Sequence, residues 1–184
     1  MNLTLPNLLS LLRMAVVPLF VISILDGSPG RALVVFVAAG VTDALDGFIA
    51  RFWHQQSTLG TYLDPAADKL LLVSAYVVLA IPHLHAGYTI PAWISAMVIT
   101  RDIVIVVVAL ILYAAAGVKR FPPSPISKVN TGLQLAAVIL VLLSGVLASA
   151  EIAATIAVYV VAASTLASGI DYIYRANRMQ GSEA

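Results

Sequence analysis

Cysteine is absent from the sequence, so no disulfide framework contributes to the fold. Charge is almost as scarce: ten Lys and Arg and nine Asp and Glu are spread over 184 residues, leaving a net charge of +1. No dense basic run occurs, which excludes a nucleic-acid-binding surface. Internal repeats and low-complexity segments are missing, and no connection is long enough to hold a second domain. Residues 1–184 therefore read as one domain. The opening MNLTLPNLLSLLRMAVVPLF lacks a basic n-region and a small-residue cleavage site. It reads as a retained first span and not as a signal peptide.

What the chain has in abundance is apolar side chain, 61% of residues against 10% charged. A soluble domain of this size could not hide that much apolar surface, which implies an integral membrane protein. Six apolar stretches are each about twenty residues or longer, the length needed to cross a hydrocarbon core as a helix. They cover residues 7–26, 31–52, 63–83, 90–116, 127–149 and 152–174. DGSPG at 26–30, HLHAG at 83–87 and RFPPSP at 120–125 separate them, and Glu151 marks a tight turn between the last two. The expected fold is all-α and polytopic, with six transmembrane helices. Arg51, Lys69, Lys119, Arg120, Lys128, Arg175 and Arg178 fall on one side of such a bundle, and only Arg31 on the other. The positive-inside rule then places both termini and the 43–51 segment in the cytoplasm.

That segment, DALDGFIAR, is the first anomaly: two aspartates and an arginine at the end of an apolar run. Ionisable groups at membrane depth are costly and mark function by default. Asp43, Asp46, Gly47 and Ala50 follow helical spacings of three, four and seven, so they form one stripe. LGTYLDPAADK, residues 59–69, adds a second stripe of Gly60, Asp64 and Asp68. The two stripes lie on consecutive helices joined by a short cytosolic connection, so four carboxylates can converge. Alone they would repel one another or take up protons, and divalent cations resolve that conflict. An all-oxygen donor set suits Mg²⁺, Mn²⁺ or Ca²⁺. Gly47 and Gly60 remove bulk beside the aspartates, and Arg51 offers a forked contact to a phosphate. Two metals about 4 Å apart would stabilise charge developing on a scissile phosphate.

The pattern D-x2-D-G-x2-A-R-x8-G-x3-D-x3-D, from Asp43 to Asp68, resembles the complete signature of the CDP-alcohol phosphotransferases, with all eight specified residues matched over 26 positions. The six expected spans and the short length resemble that family as well. The resemblance implies transfer of a phosphatidyl group from CDP-diacylglycerol to an alcohol, with release of CMP. It implies Mg²⁺ or Mn²⁺ on Asp43, Asp46, Asp64 and Asp68, with Asp68 also the general base. Gly47, Ala50, Arg51 and Gly60 would border the CDP moiety, at an active site on the cytosolic interface. A homodimer in a bacterial inner membrane is the implied setting.

The acceptor alcohol is read from TRDIVIV and PISKVNTGLQL. Both are similar to segments of the family's cardiolipin synthases of eukaryotic type, which use phosphatidylglycerol. The members that use glycerol 3-phosphate tend instead to carry an Arg-Glu pair and a Gly-Lys-x-Lys-Thr run. Here Asn130 stands where a lysine would help hold a phosphate dianion. A phosphatidylglycerol monoanion needs less charge, so it is the favoured acceptor, with glycerol 3-phosphate the alternative. Arg101 and Lys128 are candidates for the acceptor site.

Each feature has a plainer reading. Asp64-Pro65 is also a good helix start, with Asp64 as N-cap. Gly47 suits helix packing, and Arg51 suits an interfacial anchor. Arg101 and Asp102 read equally as a local charge pair, Asp171 as a solvated aspartate, and His83 and His85 as surface residues. Tyr88, Trp93, Tyr172 and Tyr174 read as an interfacial belt. A divalent-cation transporter is the rival from another class. It explains four carboxylates but not the Gly-x-x-Ala-Arg segment, nor the lack of polar groups continuing to the far side.

Overall fold

The computed structural model describes residues 5–53, 60–116 and 125–180, with side chains over 12–42, 69–107 and 125–172 and at Tyr174. Among these residues there are six α-helices and no strand: α1 (Leu5–Leu25), α2 (Pro29–Trp53), α3 (Gly60–Val78), α4 (Ala92–Ala116), α5 (Pro125–Ser144) and α6 (Glu151–Gln180). A single 3-10 turn, Ala148–Ala150, precedes α6. Lys119 and Arg120, on which part of the expected orientation rests, lie outside the described residues.

Helix boundaries follow local chemistry. Gly27 ends α1 at φ +64°, a left-handed conformation that costs glycine little. Its N–H bonds the Ile24 carbonyl and the Ser28 N–H bonds that of Ser23, the two bonds of a Schellman cap. Helix α3 stops at Val78, five residues short of the apolar run, because residues 79–91 fold back as turns. Helix α6 runs six residues beyond its apolar stretch.

Among the described residues α1 packs against both α2 and α3, α2 also packs on α5, α5 pairs with α6, and α4 leans on α6 and α3. On α6, Ala154, Val158, Val161, Thr165, Ser168 and Tyr172 are buried at alternating spacings of four and three, one stripe of a helix. The opposite stripe is aliphatic too: Ile152, Ile156 and Ile170 are 75%, 59% and 69% exposed. Both faces being apolar, the outward one needs an apolar surrounding. Helix α5 and the segment Ala148–Tyr172 are long and apolar enough to cross a membrane.

Three connections meet at the end of the bundle away from the α2–α3 link. A Cβ on Gly145 would come within 2.7 Å of both the Ala86 carbonyl oxygen and the Pro29 Cβ. One on Gly87, itself at φ +91°, would stand 2.5 Å from the Gly145 nitrogen. The Tyr88 N–H donates to Ser144 Oγ at 2.9 Å. The 79–91 segment is thus seated on the end of α5, backbone against backbone.

Two expectations change here. His85 is half-buried instead of fully at the surface, its Nε2 and Nδ1 each 3.1 Å from a carbonyl oxygen, of Leu79 and Ala86 respectively. Tyr172 is buried and not part of an outward belt, because its hydroxyl donates to the Ile105 carbonyl of α4 at 3.0 Å. Trp93 and Tyr174 do face outward, Trp93 beside Tyr159 at 6.4 Å between ring centroids.

Candidate active site

All eight signature positions fall on helix. Asp43, Asp46, Gly47, Ala50 and Arg51 lie in the C-terminal half of α2, and Gly60, Asp64 and Asp68 in the first half of α3. At 3.6 residues per turn, each set occupies one face of its helix. Their side chains lie outside the described residues. Because α3 begins at Gly60, Asp64 stands inside the helix and is not its N-cap.

The first described side chain after the signature is Lys69, and it points to a partner that sequence spacing does not reveal. Its ammonium is paired with Asp102 Oδ2 on α4. The other Asp102 oxygen accepts from Arg101 Nη1 at 2.9 Å. Arg101 Nη2 then donates to the Ser127 hydroxyl on α5 at 2.7 Å and to that of Ser168 on α6. The local charge pair of Arg101 and Asp102 therefore exists, but it is the middle of a chain joining α3, α4, α5 and α6. Arg101 and Asp102 are both over nine-tenths buried, whereas the Lys69 side chain is 40% exposed. One carboxylate between two cations leaves the trio with a net charge of +1.

A cavity of about 180 Å³ adjoins this chain on the α1–α2 side, lined in part by Arg13, Gly40, Lys69 and Thr131. Arg13 is almost fully buried in its wall. Gly40 precedes Asp43 by about one turn of α2, and Lys69 follows Asp68 directly, so two of its lining residues adjoin the signature in the chain.

Asn130 is not where its sequence role requires. It is fully buried between α5 and α6, and its Oδ1 accepts from Ser164 Oγ at 2.6 Å and Thr165 Oγ1 at 3.1 Å. A lysine there would face α6 hydroxyls inside the bundle, so Asn130 carries no information about the acceptor's charge. Lys128, two residues earlier, is exposed. Asp171, expected to be solvated, is only partly exposed.

Replacing Asp102 should expose how much the ionic chain matters. Asp102→Ala leaves a buried arginine and Lys69 without their anion, and breaking a buried pair in this way costs about 3–5 kcal/mol. The expected outcome is a markedly lower unfolding temperature of the detergent-solubilised protein. An unchanged melting curve would show that the pair contributes little to the bundle.

The CDP-alcohol phosphatidyltransferase family matches residues 3–167 of the chain. The chain is 39% identical to the cardiolipin synthase (CMP-forming) of Rattus norvegicus over 151 residues, covering 72% of this chain and 47% of the rat protein. It is 42% identical to the Streptomyces coelicolor cardiolipin synthase (CMP-forming) over 116 residues, 60% of this chain and 52% of that protein. Against the CDP-diacylglycerol--glycerol-3-phosphate 3-phosphatidyltransferase of Haemophilus influenzae it is 35% identical over 181 residues, 94% and 93% of the two chains. The match thus spans about half the length of the cardiolipin synthases and nearly all of the Haemophilus protein. With the signature intact on α2 and α3 and the family match running from α1 into α6, the chain belongs to the CDP-alcohol phosphatidyltransferase family.

Proposed function

We propose that the chain is an integral membrane phosphatidyltransferase of phospholipid biosynthesis. It moves a phosphatidyl group from CDP-diacylglycerol to a glycerol-type alcohol and releases CMP. The observation that carries this reading is the full eight-residue signature placed on two consecutive helices of a family member. The chain acts as one domain with six spans, both termini in the cytosol, in a bacterial cell membrane, as a homodimer by family resemblance.

The donor set fits a hard divalent cation: four carboxylates, with no sulfur or imidazole in the signature. Asp43, Asp46, Asp64 and Asp68 would hold Mg²⁺ or Mn²⁺, which when bound neutralises charge on the pyrophosphate. Gly47, Ala50 and Gly60 leave room for the CDP moiety, and Arg51 binds a phosphate oxygen. Asp68 takes the proton of the acceptor hydroxyl. The freed oxygen bonds to the phosphorus bearing diacylglycerol, and the bond from that phosphorus to the CMP oxygen breaks. No signature residue is a ready covalent nucleophile, which favours direct displacement.

Phosphatidylglycerol is the favoured acceptor, on the similarity of TRDIVIV and PISKVNTGLQL to cardiolipin synthases of eukaryotic type. Arg101 and Lys128 would serve its headgroup. Glycerol 3-phosphate is the second reading, favoured by the near full-length match to the Haemophilus protein. Purified chain supplied with CDP-diacylglycerol and both acceptors is expected to yield cardiolipin, read by mass spectrometry of the lipid product. Phosphatidylglycerophosphate as the dominant product would transfer the assignment to the second reading.

A further inference from the structure

Helices α3 and α4 run antiparallel and meet through two polar rungs. Lys69 pairs with Asp102, and seven residues further along α3 the Tyr76 carbonyl accepts from Ser95 Oγ at 2.9 Å. On α4, Ser95 also lies seven residues from Asp102, so both rungs belong to one register. Seven residues is close to two helical turns, about 10 Å. Between the rungs Leu72 on α3 and Val98 on α4 are buried and apolar. Apolar packing is non-directional, whereas an ion pair and a hydrogen bond have defined partners. A slide of α3 by one turn, about 5 Å, would part both rungs at once.

The rung nearer the signature is anchored on further helices. Asp102 is almost fully buried, and its second oxygen accepts from Arg101, which is bound in turn to Ser127 on α5 and Ser168 on α6. Lys69 is thus tied to a carboxylate that α4, α5 and α6 fix together. The height of that tie matters because Lys69 follows Asp68 directly. Asp43 and Asp46 come from α2, and among the described residues α1 and α5 each pack against both α2 and α3. The two halves of the signature must be brought to one level, and Asp102 sets the level of the α3 half. Acidic groups adjoin the tie as well: Asp64 and Asp68 on α3, and Asp171 about one turn beyond Ser168 on α6. Local charge is therefore not one-sided, and what the tie supplies is position.

We propose that Asp102 is a positioning residue of the transfer reaction: through Lys69 it fixes the α3 turn that carries Asp68, so that this carboxylate meets the acceptor hydroxyl. This rests on the reading of Asp68 as general base, and it holds for either acceptor. A base displaced by about 1 Å from the proton it takes loses up to about 10²-fold in rate, so a slack turn shows in kcat. The donor is held at other points, Asp43, Asp46, Asp64 and Arg51, and binds as before.

The test uses the full chain in phosphatidylcholine nanodiscs with saturating Mg²⁺, CDP-diacylglycerol and acceptor, below the unfolding temperature of each variant. Lys69→Met removes the tie but leaves the buried Arg101–Asp102 pair intact, so it can be read even if Asp102 variants fail to fold. It is expected to lower kcat about 10- to 100-fold, with KM for CDP-diacylglycerol and the half-saturating Mg²⁺ concentration unchanged. Lys69→Arg, which keeps a cation of similar reach, should recover most of that loss. Asp102→Asn leaves the Lys69 charge in place, yet it should lower kcat as Lys69→Met does. The double variant should be no slower than the worse single one, the mark of residues acting as a unit. Ser95→Ala, at the far rung, should lower the unfolding temperature with little change in kcat. Wild-type kcat in Lys69→Met, or additive losses in the double variant, would overturn the proposal. So would a donor KM that rises as kcat falls, which marks a binding residue, or a normal kcat in Asp102→Asn, which assigns the effect to the Lys69 charge. Near-normal kcat in Asp68→Asn would instead overturn the general-base reading, and this inference with it.

Discussion

Exhaustive chelation is expected to abolish phosphatidyl transfer, and Mg²⁺ or Mn²⁺ to restore it. The argument is one of charge. Four aspartates fall within 26 residues of α2 and α3, and the signature supplies a single arginine against them. Lys69, next to Asp68 in the chain, is turned to Asp102 on α4. Arg101 is bound to the same carboxylate. Neither is available to neutralise the signature, and a pyrophosphate donor brings further negative charge. Without cations, carboxylates so placed hold protons or repel the substrate. Turnover and CDP-diacylglycerol binding should therefore fall together and recover together on titration with metal. Undiminished turnover after complete metal removal would refute the two-metal reading.

Asp68→Asn should separate proton transfer from binding. The amide keeps the shape of the carboxylate and one oxygen but no longer accepts a proton at neutral pH. Loss of a general base lowers kcat by about 10²–10⁴-fold. CDP-diacylglycerol should still bind, because Lys69 and its tie to Asp102 hold the following turn of α3 where it was. A fall in kcat with little change in the donor's KM is the signature of an interaction made in the transition state. Asp43→Asn and Asp46→Asn are expected to weaken donor binding as well, which distinguishes a residue that only holds metal from one that also takes the proton. Near-normal kcat in Asp68→Asn would remove the general-base role.

The helices and the signature were legible from sequence because both are local properties. A run of apolar residues broken by Gly27, by HLHAG or by RFPPSP sets where a helix can exist, and the observed helices fall on those runs. The 43–68 pattern was legible because its residue types and spacings are jointly demanding. What could not be read was partnership across the chain. Lys69 counts in sequence only as an orienting charge, yet it pairs with Asp102, 33 residues away. Asn130 looks like a missing lysine at an acceptor site, yet Ser164 and Thr165 hold it inside the bundle. Tyr172 looks like a belt residue until the Ile105 carbonyl is seen to accept a hydrogen bond from its hydroxyl. In helices that are apolar on every face, hydrophobic period gives little guide to which stripe turns inward. Polar side chains in such helices are placed by their distant partners.

The backbone contact of Gly87 with Gly145 has a consequence for where lipids travel. With the 79–91 segment seated on α5 and Pro29 pressed against Gly145, this end of the bundle is stoppered by main chain at that point. Traffic of donor, acceptor and product is left to the signature-bearing end and the sides of the bundle. On the proposed topology and function, new phospholipid would enter the cytosolic leaflet, and supply of the opposite leaflet would fall to a separate translocating activity.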